Sequence, residues 1–207
     1  MSYPIITISR EYASGGREIG RKLAERLGIA FYDRDRILEA ARESGIAEEL
    51  LQQQDEHTPQ SLLYSLVMGT CTLGLGGRGA MPVSDHIYEL QAQKIREIAA
   101  SEPAVIVGRC ADAILADTDH HLSFFLYADR AVRVARAMQL YGVSSAEAAN
   151  RVDRGDAIRG GYYNYYTARK WGVRENYCMS VSTSALGYDA TVDLLEACVR
   201  GSGLMCK

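Results

Sequence analysis

No surplus of positive charge marks this 207-residue chain: 23 lysines and arginines stand against 26 aspartates and glutamates, a formal net charge of −3 with histidine neutral. Dedicated nucleic-acid binders carry the opposite balance, so no nucleic-acid partner is expected, although local basic clusters occur. No segment reaches the roughly 18 consecutive apolar residues of a membrane helix, so no membrane partner is expected either. The opening Met1-Ser2-Tyr3-Pro4 has no basic leader, and the apolar run after it is too short for a signal peptide, which makes the cytoplasm the expected location. Cysteine pairing is missing as well. Cys71, Cys110, Cys178, Cys198 and Cys206 are odd in number and widely spaced, with no C-x-x-C among them. Neither zinc nor a disulfide framework is expected, only free thiols, several of them buried. Repeats and low-complexity tracts are absent too.

What is present is a globular composition, 47% hydrophobic with mixed charge, and a length that fits a single domain over 1–207. Tyr3–Ser9 reads as a short buried strand. Arg17–Leu27 reads as a helix with Ile19, Leu23 and Leu27 on one face and Gly28 as its stop. Ile29–Asp33 is a second candidate strand, followed by helical sequence from Arg34 to about Glu43. Residues 44–82 are hard to read, with a break at Thr58-Pro59 and a Gly-rich stretch from Gly69 to Gly79. Further on, Ser84–Ala100 looks helical, Ala104–Gly108 and His121–Ala128 are apolar strands, and Asp129–Leu140 is helical. Ser144 and Glu147 form a capping box for the next helix. Met179–Ser184 and Asp189–Val199 read as a last strand and a last helix. Apolar strands alternating with helices predict an α/β fold, a mainly parallel sheet covered on both faces. Ligands then bind beyond the carboxyl ends of the strands, which directs attention to Arg10–Arg17, Asp33–Arg36, Arg109–Asp112 and Asp129.

Three signals lie there. The first strand runs through Ser14-Gly15-Gly16-Arg17-Glu18 into an amphipathic helix, the context in which backbone N–H groups cradle phosphate and a helix N-terminus adds positive charge. Arg17 would add a bidentate donor fork. Compared with G-x-x-x-x-G-K-[ST], Glu11 stands at the first Gly, Arg17 at the Lys and Glu18 at the Ser/Thr. A plain strand-to-helix turn with Arg17 in solvent is the alternative. The second signal is Arg109, at the end of an apolar strand and facing the expected crevice; a surface arginine is its alternative. The third is Arg151, Arg154 and Arg159, which could close over a transferring phosphoryl group, or else lace a helix face with Asp153 and Asp156. Tyr162, Tyr163, Tyr165 and Tyr166, just beyond, suit packing better than stacking. Asp33 and Asp35 either contact a nucleoside or help a metal, or else are surface acids or a helix cap. His57, His86, His120 and His121 lack metal-ligand spacing, so no metal ligand is assigned.

The run Thr7-Ile8-Ser9-Arg10-Glu11-Tyr12-Ala13-Ser14-Gly15-Gly16-Arg17-Glu18-Ile19-Gly20, then Phe31-Tyr32-Asp33 and Val105-Ile106-Val107-Gly108-Arg109, resembles the cytidylate-kinase-like family. Val181–Gly187 with Thr191-Val192 is similar to that family's last strand and helix. The resemblance implies a P-loop kinase fold with a five-stranded parallel sheet, an acceptor-binding insertion at about 34–103 and an Arg-bearing lid at about 150–170. It implies Mg-ATP as donor, so ATP and Mg²⁺ as cofactors, and a small-molecule nucleotide, CMP or dCMP first, as acceptor. By position, Ser14, Gly15, Gly16, Arg17 and Glu18 would hold the donor; Asp33, Arg36, Arg109 and Arg151 the acceptor; and Arg17, Arg109, Arg154 and Arg159 would act on the transferring group. A homodimer is left open. The chain departs from true cytidylate kinases at Arg17 and Glu18, at Val107 and Cys110 where acids flank the strand-end Gly-Arg, and at Glu39, where an acceptor-binding arginine is expected.

Overall fold

The computed structural model describes residues 4–43 and 83–203. His57, Thr58-Pro59, the Gly-rich stretch, Cys71 and Cys206 lie outside them, as does most of the expected insertion. Strand β1 (Ile5–Arg10) buries Ile6 and Ile8 toward one face of the sheet and Ile5 toward the other, as the twofold alternation of a strand requires. It pairs in parallel with β3 (Ala104–Val107) on one side and β4 (His121–Tyr127) on the other. β2 (Ala30–Tyr32) and β5 (Met179–Ser182) complete the order β2-β3-β1-β4-β5, parallel throughout. β1 is therefore central, and the turn that follows it opens at the middle of the sheet's carboxyl edge.

Helix α1 (Gly16–Leu27) buries Ile19, Leu23 and Leu27, the face read from the sequence. It ends at Gly28, whose φ of 65° and N–H bonds to Ala24 and Glu25 carbonyls make a left-handed C-cap. With α8 (Tyr188–Gly201), α1 covers one face of the sheet, through Val192, Leu195 and Val199 on Phe124 and Leu126. The other face holds α2 (Arg34–Glu43) and α3 (Val83–Ser101), whose Ile37, Ile95 and Ile98 pack on Ala104 and Ile106. A short α4 (Ala111–Ile114) follows β3. Helices α5 (Arg130–Tyr141) and α6 (Ser145–Thr167) form an antiparallel pair over a small core of Ala137, Ala148 and Val152. A one-turn α7 (Thr183–Leu186) joins β5 to α8.

The differences from expectation are local. β2 stops at Tyr32 because Asp33 turns out of the strand to accept the Arg36 N–H (3.1 Å) as a cap for α2. α6 is one continuous helix through Arg151, Arg154 and Arg159, with no unwound end before Ala168. Ser144 accepts the Glu147 N–H as half of the capping box, but the Glu147 carboxylate turns to Arg151 instead of back to Ser144. Cys110, Cys178 and Cys198 are free thiols. No helix among the described residues is long and apolar enough to cross a membrane.

Candidate functional site

The turn after β1 is built from alternating backbone hands. Ala13 (φ 58°) and Gly15 (φ 88°) are left-handed, and α1 starts at Gly16. Such a turn gathers successive N–H groups into a concavity, and the first-turn amides of α1 have no acceptor within the helix. A Cβ on Gly15 would lie 2.5 Å from Cζ of Tyr188, and one on Gly16 2.7 Å from Cβ of Arg10, so neither position admits a side chain. Beneath the turn, the half-buried Glu11 accepts the Ala128 N–H (3.0 Å) and faces the buried Arg133 (3.2 Å). Arg133 also pairs with Asp156 of α6, whose other oxygen takes the Tyr12 N–H at 2.6 Å. The residue at the first Walker glycine is thus a tie between the loop and α5, and α6 is bonded to the loop itself.

Beside this turn lies a cavity of about 410 Å³ at the carboxyl ends of β1 and β3. Its walls carry five arginines: Arg10, Arg34, Arg109, Arg154 and Arg159. Arg109 arrives through three successive left-handed residues, Gly108 (φ 83°), Arg109 (φ 59°) and Cys110 (φ 57°). Only glycine adopts that conformation freely, and each other residue costs on the order of 1 kcal/mol. Gly108 is required for a second reason, since a Cβ there would run into the Arg10 guanidinium. The Arg109 guanidinium sits 5.2 Å over the Tyr162 ring, and its Nε is buried without a partner. Arg159 donates to the Arg10 carbonyl (3.1 Å) and lies over Tyr12. Tyr163 donates to the buried Asp112 (2.7 Å), while Trp171 closes one wall against Phe125.

Electrostatics follow from this crowding. Burial, then Arg159 and Arg109, draw Arg10 down to about 9. Burial also lowers Arg159, and burial with Arg109 lowers Arg34. Cys110 is pushed up to about 12 by burial and by Asp112, so it is a thiol. Among the described residues the cavity is a cluster of cations without a carboxylate on its walls, an arrangement that attracts anions.

Of the residues picked from the sequence, Arg109, Arg154 and Arg159 come together here. Arg17 does not join them: its Nη2 lies 2.6 Å from Asp33 and 3.7 Å from Asp35, at the mouth of the loop, with the side chain 70% exposed. Asp33, expected to face an acceptor, spends one oxygen on the Arg36 N–H and the other on Arg17. Burial alone would raise its carboxyl, but those two donors and the Asp35 N–H hold it below the ordinary range. Arg36 reaches the Phe31 carbonyl, and Arg151 pairs with Glu147 over the Tyr141 ring, so neither is on the cavity wall. The Ser14 hydroxyl is turned inward onto the Glu11 and Leu126 carbonyls, leaving only backbone to meet a ligand. Glu18, where a metal-holding hydroxyl is expected, pairs with Arg136 at 2.9 Å. Among the described residues no group of three His, Cys, Asp or Glu is placed to hold a metal ion. Arg10 and Arg34 are cavity residues that fall within the strand-end stretches Arg10–Arg17 and Asp33–Arg36, although the sequence assigns neither a role of its own.

Comparison with known proteins agrees with this geometry. An uncharacterized protein from Eubacterium ventriosum is 26% identical with a TM-score of 0.72, covering 96% of this chain and 99% of that one. Shikimate kinase from Acinetobacter baumannii, in complex with shikimate, is 15% identical with a TM-score of 0.54 over 97% and 94%. A gluconokinase from Sinorhizobium meliloti is 15% identical with a TM-score of 0.51 over 98% of both chains. At such identities the two kinases establish the fold, the P-loop kinase fold, and nothing finer. No curated protein matches the chain. The model of the cytidylate kinase-like family matches residues 5–185. A match that runs from the first strand to the turn of helix after the last one decides the affiliation: the chain belongs to the cytidylate kinase-like family.

Proposed function

We propose that the chain is an ATP-dependent phosphotransferase that moves a phosphoryl group onto a small anionic acceptor held in the arginine cavity. One observation carries this reading: Arg10 spans both halves of the site, its stem against Gly16 of the loop and its guanidinium against Gly108 of the cavity. A phosphate cradle and an anion cavity that share one residue suit transfer between two bound partners.

The loop suits the triphosphate of ATP. Backbone at Gly15 and Gly16 and the first-turn amides of α1 would hold it, with Arg17 as the charged contact. When bound, ATP supplies the γ-phosphoryl group. The described side chains offer no cage for Mg²⁺, and a magnesium ion would enter as part of the nucleotide complex. Arg109 and Arg159 would orient the acceptor and neutralise charge on the transferring group, and α6 would exclude water. Family membership makes CMP and dCMP the first acceptors to test, and an ATP-using enzyme of this kind belongs in the cytoplasm.

The test is ADP release from Mg-ATP over a panel of nucleoside monophosphates, phosphorylated sugars and carboxylic acids, using the whole chain. Acceptor-dependent release that falls at least about 100-fold in Arg109→Ala supports transfer in this cavity, in line with the loss of a transition-state contact. ATP binding with no release for any acceptor would favour the second reading, a nucleotide-binding sensor. Two observations feed that reading: Glu18 at the hydroxyl position, and Asp156 on the Tyr12 amide.

A further inference from the structure

Four of the cavity arginines, Arg10, Arg34, Arg109 and Arg159, appear in no ion pair among the described residues, whereas eight arginines elsewhere are paired with carboxylates. The acids nearest the cavity are already engaged. Asp33 is held by Arg17 and the Arg36 N–H, and Asp112 by the Tyr163 hydroxyl. Arg109 Nε is a buried donor with nothing to donate to. Guanidiniums crowded in one site repel one another, and the part-buried Arg10, Arg109 and Arg159 need anionic oxygen to offset lost hydration, while Arg34 stays exposed.

What the walls omit is equally specific. Besides the arginines, the described wall residues comprise Ser9, Val107, Gly108, Cys110, Ile158, Tyr162, Tyr163 and Trp171, with no Asp, Glu, Asn or Gln among them. The hydroxyls of Tyr162 and Tyr163 are directed away, onto Gln91 and Asp112. Among the described wall residues, no carboxylate or carboxamide stands ready for a cytosine amino group. A site built to read a base must match its donors, because an unpaired one is costly when buried.

We infer that the acceptor is a polyanion, a small molecule with at least two separate phosphate or carboxylate groups. The inference rests on the cavity's being the acceptor site. One phosphate dianion can engage two arginines in bidentate fashion. Four guanidiniums without an ion pair among the described residues suit a second anionic group on the same molecule, Arg109 lying near Arg34 and Arg159 beside Arg10.

The experiment is calorimetric titration of the whole chain with fructose 1,6-bisphosphate, fructose 6-phosphate, 3-phosphoglycerate and CMP, at fixed salt. The first and second differ by one phosphate, which isolates the variable. Fructose 1,6-bisphosphate and 3-phosphoglycerate are expected to bind at least about tenfold tighter than fructose 6-phosphate or CMP, one added charge-assisted contact being worth that much. Arg109→Met should erase the preference and Arg109→Lys retain part of it, with thermal melts confirming that both variants fold. CMP binding as tightly as the bisphosphate, or no probe binding, overturns the inference. A preference unchanged in Arg109→Met also overturns it, since the anion then sits on the α1 amides. Acceptor-dependent ADP release with CMP alone would sink the polyanion and leave the kinase reading standing. A tenfold preference lost in Arg109→Met, without release for any acceptor, would do the reverse.

Discussion

Arg17 stands where the P-loop kinases carry a lysine, and its environment sets what it can do. Its guanidinium is planar, always charged and able to grip two oxygens, and in this structure the oxygens belong to Asp33 and Asp35. A donor phosphate would have to draw it off a carboxylate, a competition a freely solvated lysine does not face. Arg17→Ala is expected to weaken ATP binding by about 1.5–3 kcal/mol, the range for a hydrogen bond to a charged group. The same change should move the Asp33 carboxyl upward, because burial pushes it that way and only the backbone N–H groups of Arg36 and Asp35 then oppose it. Titration calorimetry reads the first effect and carboxyl NMR the second. Unchanged ATP affinity in a folded variant would place the donor somewhere other than this loop.

Helix α6 is the element that joins the loop to the cavity. Near its middle Gly155 lies flat against the Tyr12 ring, and one turn on, Arg159 covers the other part of that ring. Gly155→Ala therefore sets two effects against each other. Alanine improves the helix by about 1 kcal/mol. The added methyl meets an aromatic ring held by Arg159 and stacked on Tyr141, and overpacking of that kind costs about 1–3 kcal/mol. The contact should win, loosening α6 from the loop and speeding amide exchange at Tyr12 and over 150–170. Slower exchange there would show that the ring simply steps aside. In the parent chain, exchange over 150–170 should slow on adding nucleotide, as expected of a lid; equal exchange with and without it would deny α6 that role. Legibility also divides by element. β1, its glycine turn and α1 announce themselves because each is a local signal: an apolar run, two glycines, a face of Ile19, Leu23 and Leu27. That Arg10 and Arg34 share a cavity with Arg159 is not local. It depends on β3 lying beside β1 and on α6 folding back 149 residues later to reach the Arg10 carbonyl. The left-handed Arg109 and Cys110 were equally hidden, since neither residue type announces a positive φ.

Across the whole molecule, the sheet places one titratable group where acid should find it. His121 opens β4 with its Nε2 2.7 Å from Thr7 Oγ1 of the central strand, and burial draws it down from 6.5 to about 4. Between those values the unfolded chain binds a proton that the folded one does not, so stability falls as pH drops through that window and is flat above it. From pH 7 to pH 5 the loss attributable to this group is about 2 kcal/mol. Urea midpoints at the two pH values should converge in His121→Gln, after allowing for a lower baseline. An acid-side slope as steep in the variant as in the parent would assign it to the carboxylates instead.

Trp171 is the single tryptophan of the chain, and it forms a wall of the cavity. The protein consequently carries its own optical gauge at the place where an acceptor would sit. Excited at the red edge of indole absorption, its many tyrosines stay dark and the emission comes from that wall alone. A ligand that displaces water from the ring should shift the emission to shorter wavelength, and the size of that shift against concentration would give an occupancy curve with no label attached.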